Sequence, residues 1–135
     1  MQIDNKKANV KIAVLMFVVL MLLPGIVLAS SYHSTLSFLG EHRGPTRSYS
    51  GNNVGISMTA YTTTPQQPHH ATTFTVELHR QNLIGSTYIG NSVFPRNGYK
   101  SNTWSSVGSG NYFYWFIKAR DGVVVKSDNV HLFSN

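Results

Sequence analysis

Alternation of apolar and polar side chains with a period of two is the feature that most constrains the fold of this 135-residue chain. In VGISMTAYT, the alternate residues Val54, Ile56, Met58 and Ala60 are apolar. In ATTFTVELHR, Phe74, Val76 and Leu78 alternate with threonine, glutamate and histidine. Because successive side chains of a strand point to opposite faces, both patterns predict half-buried strands.

Further strands are predicted in the chain after residue 30, where we find no helical apolar stripe of ten or more residues. A short strand is expected around Leu36 and Phe38, and longer ones in Ser86–Phe94, Tyr99–Val107, Gly110–Arg120 and Val123–Phe133. Asn97–Gly98 suits a tight turn, and Asp121–Gly122 suits a hairpin between the last two strands. The sequence therefore predicts an all-β fold, a single antiparallel β-sandwich of about seven strands.

The first 29 residues have the composition of a secretory signal peptide. Three lysines precede the apolar run IAVLMFVVLMLL, and Pro24–Gly25 interrupts the apolar character before IVLAS. Val27 and Ala29 suit the small-residue positions before a cleavage site. We therefore predict a signal helix and cleavage before Ser30, with a β-sandwich domain in residues 30–135. The alternative is a retained membrane anchor in residues 12–29, which are long enough to span a bilayer.

The chain has no cysteine, so disulfide bonds cannot stabilise the exported domain. Residues 30–135 contain eight Lys or Arg and four Asp or Glu, which gives a net charge of +4. This charge favours an anionic partner, such as an acidic cell-wall polymer or an anionic surface, although it could also serve solubility alone. The basic residues are scattered along the sequence, which argues against a nucleic-acid surface.

The strand GNYFYWFIKAR has two very different faces. Phe113, Trp115, Ile117 and Ala119 form the wholly aromatic and aliphatic set, and we predict that this set faces the core because charged groups are rarely buried unpaired. The other set would then face outward as a row of aromatic rings ending in two cations. Rings of this kind stack on sugars, and the cations pair with phosphate or carboxylate groups. The predicted ligand-binding residues are Tyr112, Tyr114, Phe116, Lys118 and Arg120.

Two alternatives remain open for that outward row. Its rings could be ordinary cross-strand partners on a half-exposed sheet. They could also be buried between two copies of the chain in a homodimer, since large exposed apolar patches are uncommon.

Gly110-Asn111-Tyr112-Phe113-Tyr114 resembles the G-x-Y-x-C spacing of immunoglobulin-like domains. The resemblance implies that Tyr112 is an inward corner tyrosine and that Tyr114 takes the place of the core cysteine. The mature chain as a whole also resembles small secreted β-sandwich proteins of Gram-positive bacteria, a likeness that implies the fold and no activity.

Motifs for catalysis or cofactor binding are absent from the sequence. No G-x-S-x-G elbow, H-E-x-x-H motif or paired carboxylates are present, so we expect no enzyme, no catalytic residues and no cofactor. His69–His70 is the one histidine cluster, and adjacent residues of an extended loop point apart, so we expect no metal site.

Two functional hypotheses follow from these features. The first is a secreted, non-catalytic binding protein that acts at the cell envelope on an anionic or glycan polymer. The second is a small secreted effector, bacteriocin-like or toxin-like, whose positive charge directs it to a target surface.

Overall fold

The computed structural model describes residues 28–135. The predicted signal peptide and the alternative anchor therefore lie outside the described residues, except for Leu28 and Ala29. Among the described residues, no helix is long and apolar enough to cross a membrane.

Residues 28–135 form nine β-strands. The strands are β1 Ser31–Phe38, β2 Glu41–Arg43, β3 Arg47–Tyr49, β4 Val54–Thr62, β5 Thr73–Gln81, β6 Ser86–Pro95, β7 Gly98–Trp104, β8 Gly110–Ile117 and β9 Val125–Ser134.

The strands form two antiparallel sheets that pack face to face. The four-stranded sheet has the order β1-β9-β4-β7, and the five-stranded sheet has the order β2-β8-β5-β6, with β3 also paired to β8. This arrangement confirms the predicted all-β, single antiparallel β-sandwich. The strand count exceeds seven because β2 and β3, each of three residues, pair with successive parts of β8.

The inner faces of both sheets supply the core. Val54, Ile56, Met58 and Ala60 of β4 are buried, as are Phe74, Val76 and Leu78 of β5. The predicted faces of these two strands are therefore confirmed. Aligned packing of two alternating sheets places these side chains in one apolar layer between them.

The predicted hairpin at Asp121–Gly122 is wrong. Strand β8 pairs within the five-stranded sheet and β9 within the four-stranded sheet, so residues 118–124 cross from one sheet to the other. The turn at Asn97–Gly98 likewise links β6 and β7, which belong to different sheets. Turn residues indicate where the chain reverses direction. They do not indicate which strand each flanking strand pairs with, because that depends on which side of the core the strand covers.

The backbone of Gly51 lies against Asn135, the residue that follows β9. It has a φ of 102°, and a Cβ atom at this position would lie 2.7 Å from the carbonyl oxygen of Asn135. That oxygen accepts backbone hydrogen bonds from Asn52 and Asn53 at 3.0 Å.

We therefore predict that Gly51→Ala lowers the free energy of unfolding by about 2 kcal/mol, because it combines an unfavourable φ with a backbone clash. Gly122→Ala is the matched control, since Gly122 also has a positive φ of 79° but a Cβ there would meet nothing within 4 Å. Urea unfolding measures the free energy of unfolding of both variants. An equal loss in the two variants would contradict the prediction.

Candidate functional site

The structure reverses the predicted faces of β8. Tyr112, Tyr114 and Phe116 are buried in the core between the sheets, and Lys118 is buried beyond the end of the strand. Trp115 and Ile117 lie on the outer side and are partly exposed, whereas Ala119 is exposed. The three rings and Lys118 of the predicted row are therefore available neither to a ligand nor to a second copy of the chain.

The buried tyrosines are tolerated because their hydroxyl groups reach backbone acceptors. The Tyr114 hydroxyl donates to the carbonyl oxygen of Gly55 at 2.6 Å, and the Tyr112 hydroxyl lies 2.7 Å from the carbonyl oxygens of Val107 and Gly108. Burial raises the pKa of Tyr114 well above its ordinary value. The inward positions that the immunoglobulin-like resemblance implies for Tyr112 and Tyr114 are thus confirmed.

Lys118 can be buried because its ammonium group is paired with a carboxylate and makes three hydrogen bonds. Its Nζ donates to the carbonyl oxygens of Leu39 at 2.5 Å and of Ala119 at 2.7 Å, and lies 3.0 Å from Asp121 Oδ1. Arg96, which is also buried, donates from Nη1 to Asp121 Oδ2 at 2.6 Å. Asp121 therefore pairs with two cations in a structural cluster at the crossing between the sheets.

Hydrogen bonds also set the acidity of Asp121. Burial alone would raise the pKa of its carboxyl group, but the hydrogen bonds from Arg96 and Lys118 outweigh burial and hold the pKa well below its usual range. Arg120, the last of the predicted binding residues, is exposed and lies beside Gly40. The structure thus does not bring the two predicted cations together with an exposed aromatic row.

The outer side of the five-stranded sheet carries a different set of rings. We call this surface the aromatic face, and its residues are Tyr88 on β6, His79 on β5, and Phe113 and Trp115 on β8. Cross-strand pairing places His79 opposite both Tyr88 and Phe113, so the rings follow one line across three strands. The alternation of β5 could have identified His79, because it lies in phase with Thr75 and Glu77, opposite the predicted core residues.

His79 lies at the centre of the aromatic face. Its ring stacks on Phe113 with centroids 5.0 Å apart and an interplanar angle of 8°. It also contacts Tyr88 edge-on at 5.5 Å and Trp115 at 5.8 Å. The Arg43 guanidinium lies 3.9 Å from the centroid of Phe113, which is 1% exposed although it points outward. The partly exposed rings therefore rest on a rigid, packed base.

Polar groups surround these rings. Glu77 Oε2 accepts a hydrogen bond from His79 Nε2 at 2.7 Å, and Asn91 Nδ2 donates to the Tyr88 hydroxyl at 2.9 Å. Arg43 and Glu77 are the register partners of Trp115 on its two sides, so one basic and one acidic residue belong to this part of the sheet. The aromatic face thus offers apolar rings with donors and acceptors and little net charge.

The predicted histidine pair is held within its own loop. His70 Nδ1 accepts a hydrogen bond from the backbone N–H of Gln67 at 3.0 Å, and its ring contacts His69 edge-on. In residues 28–135, no three His, Asp or Glu side chains lie close enough together to hold a metal ion.

Comparison with known proteins finds little similarity. No protein-family model matches the chain, and no curated protein matches it in sequence. Among solved structures, the crystal structure of the Yersinia pseudotuberculosis-derived mitogen is similar with a TM-score of 0.42 and 17% sequence identity. That similarity covers 82% of this chain and 88% of the mitogen chain.

Proposed function

We propose that this protein is a secreted, non-catalytic binding protein of the cell envelope, and that it binds a glycan through the aromatic face. The observation that carries the proposal is the line of rings from Tyr88 through His79 to Trp115 on the outer side of the sheet. Aromatic rings present broad apolar surfaces that lose little conformational entropy on contact, and sugar rings have apolar faces that stack on them.

The polar groups of the aromatic face support a glycan as the ligand. Arg43, Asn91 and Glu77 provide a guanidinium, an amide and a carboxylate next to the rings. A binding site of this kind needs a few placed polar groups to fix the orientation of a ligand on an apolar surface. Lys118 and Arg120 lie outside this face, so a neutral glycan fits better than the anionic polymer considered from the sequence.

The position of the face within the sheet also supports binding. Its rings lie on β8 and β5, the two central strands of the five-stranded sheet, and on their neighbour β6. Sites built on strands are held more precisely than sites on loops, so little ordering is required when a ligand binds.

We predict that the chain from Ser30 onward, which contains all nine strands, co-sediments with purified Gram-positive cell walls. Binding should persist after teichoic acid is stripped from the walls, and high salt should change it little, because stacking is not screened. Tyr88→Ala should weaken binding about tenfold, which corresponds to about 1.4 kcal/mol.

Tyr88 is 51% exposed, so its replacement should leave stability nearly unchanged. Tyr99→Ala is the control, because Tyr99 is 67% exposed and lies on β7 of the other sheet. Equal binding by wild type and Tyr88→Ala would contradict the proposal. Binding that disappears with the teichoic acid would identify the anionic polymer as the ligand instead of the glycan.

A further inference from the structure

The turn between β5 and β6 exposes two large aliphatic side chains. Leu83 is fully exposed, and Ile84 is 91% exposed. We call residues Asn82–Gly85 the hairpin tip. Turns favour Gly, Pro, Asn, Asp and Ser for conformational reasons, and none of those reasons calls for Leu-Ile at the outermost positions. Their exposure gains nothing for folding, so a binding role is the better explanation.

The hairpin tip is nevertheless well ordered by hydrogen bonds. The backbone N–H of Asn82 donates to the carbonyl oxygen of Gly85 at 3.0 Å, and Gln81 Nε2 donates to that same oxygen at 3.0 Å. Asn82 Nδ2 donates to Thr87 Oγ1 at 2.7 Å. The two aliphatic side chains are therefore presented to solvent by a turn whose polar groups are already paired.

Three arginines lie on strands of the five-stranded sheet towards the same end of the sandwich. Arg80 is the second-last residue of β5, and Arg43 Nη2 donates to Gln81 Oε1 at 2.9 Å. Arg47 and Arg80 are both register partners of Tyr112, from the two sides of β8. These arginines form no salt bridge with a carboxylate in residues 28–135.

Acidic side chains lie away from this end of the sandwich. Glu41 pairs with Ile117 at the far end of β8, and Asp121 follows that strand. Asp128 accepts a hydrogen bond from Tyr61, and Glu77 is bonded to His79 within the sheet. The end that carries the hairpin tip is therefore positively charged.

The chain also enters the sandwich at this end. Ser30 accepts a backbone hydrogen bond from Ser134, and its hydroxyl accepts one from the backbone N–H of Ser50. The carbonyl oxygen of Val107 accepts a hydrogen bond from Arg80 of β5, and the Val107 N–H donates to the carbonyl oxygen of Asn52. These two bonds connect the end of β5 to the loop that contains Ser50 and Asn52. The apolar segment of residues 12–29 directly precedes this point in the sequence.

We propose that the hairpin tip is a membrane-docking element that inserts Leu83 and Ile84 into the surface of an anionic bilayer, to which the positive charge of this end of the sandwich attracts the protein. Exposed aliphatic side chains supply apolar burial, and adjacent cations supply attraction to anionic lipid. A retained apolar segment would direct the same end to the membrane. After cleavage, the hairpin tip would act as a reversible contact. Leu83 and Ile84 lie outside the aromatic face, and Arg43 is shared between this proposal and glycan binding by that face.

Vesicle binding by the chain from Ser30 onward tests the proposal, since this chain lacks the apolar residues 12–29. We expect it to co-sediment with phosphatidylglycerol vesicles at low salt, and much more weakly with phosphatidylcholine vesicles or at high salt. The double variant Leu83→Asn/Ile84→Asn should lower the partition coefficient roughly tenfold or more. Leu39→Asn is the control, because Leu39 is an exposed leucine at the opposite end.

A fluorescent label can report which part of the protein enters the bilayer, because the chain has no cysteine of its own. In Leu83→Cys, an environment-sensitive label such as NBD should brighten and shift to the blue when phosphatidylglycerol vesicles are added. In Thr64→Cys, the same label on an exposed loop at the opposite end should change little. Equal signals from the two positions, or unchanged sedimentation of the double variant, would overturn the proposal. Absence of vesicle binding would also overturn it, and would point to a protein as the partner of the hairpin tip. Thermal unfolding of each variant verifies that it is folded.

Discussion

Replacement of Tyr114 by alanine is expected to lower the free energy of unfolding by about 3–5 kcal/mol, the usual cost of removing a buried aromatic side chain. Tyr114 is buried between the sheets, contacts Trp104 and donates a hydrogen bond to the carbonyl oxygen of Gly55. Alanine would leave a cavity and would remove the hydrogen bond to Gly55. Urea unfolding, with the slope compared between variants, measures the loss.

Trp115→Ala provides the comparison from the adjacent residue. Trp115 lies on the outer side of the same strand and is partly exposed, so its removal should cost about 1–2 kcal/mol. Tyr114→Phe separates the two contributions, because it keeps the ring and removes the hydroxyl at a cost of about 1–2 kcal/mol. A greater loss in Trp115→Ala than in Tyr114→Ala would mean that the two faces of β8 are assigned wrongly here.

The sequence predicted the fold class because β4 and β5 alternate without ambiguity. On those strands one set is apolar and the other is mostly small or polar, so only one face can cover a core. Strand β8 differs because both of its faces are aromatic. Its orientation depends on whether the two tyrosine hydroxyls and the Lys118 ammonium group find partners, and these include the carbonyl oxygens of Gly55, 59 residues from Tyr114, and Leu39, 79 residues from Lys118. Contacts so distant in the sequence are invisible to a periodicity argument.

Dependence on distant contacts also explains why the sequence predicted only part of the candidate site. The sequence identified an aromatic strand, but it placed the exposed rings on the wrong side of the sheet. Tyr88 and Arg43 join the aromatic face through strand pairing, and a register shift between Leu78 and His79 in the β5–β6 pairing sets which residue of β6 faces His79. Exposure of Leu83 and Ile84 likewise depends on whether another strand or loop covers the turn, which only the assembled sandwich reveals.

Asp121→Asn is expected to lower the free energy of unfolding at neutral pH by about 3 kcal/mol. Asp121 is the one carboxylate partner of both Arg96 and Lys118 in the described residues, and both cations have fully buried side chains. Removal of its charge leaves two buried cations without a counter-ion, and unpaired buried charges are among the most destabilising defects in a core. Urea unfolding at pH 7 measures the loss. Asp128→Asn makes the same chemical change at an exposed position and should cost little.

The pH dependence of unfolding distinguishes loss of this charge from a packing defect. Because the pKa of Asp121 is lower in the folded protein than the unfolded value of about 3.9, the ionised carboxylate stabilises the fold above about pH 4. That stabilisation is lost as the pH falls below about 4 toward the folded pKa. The wild type should therefore lose stability more steeply than Asp121→Asn in this acidic range. Parallel losses in the two proteins would show that Asp121 contributes through packing and not through its charge.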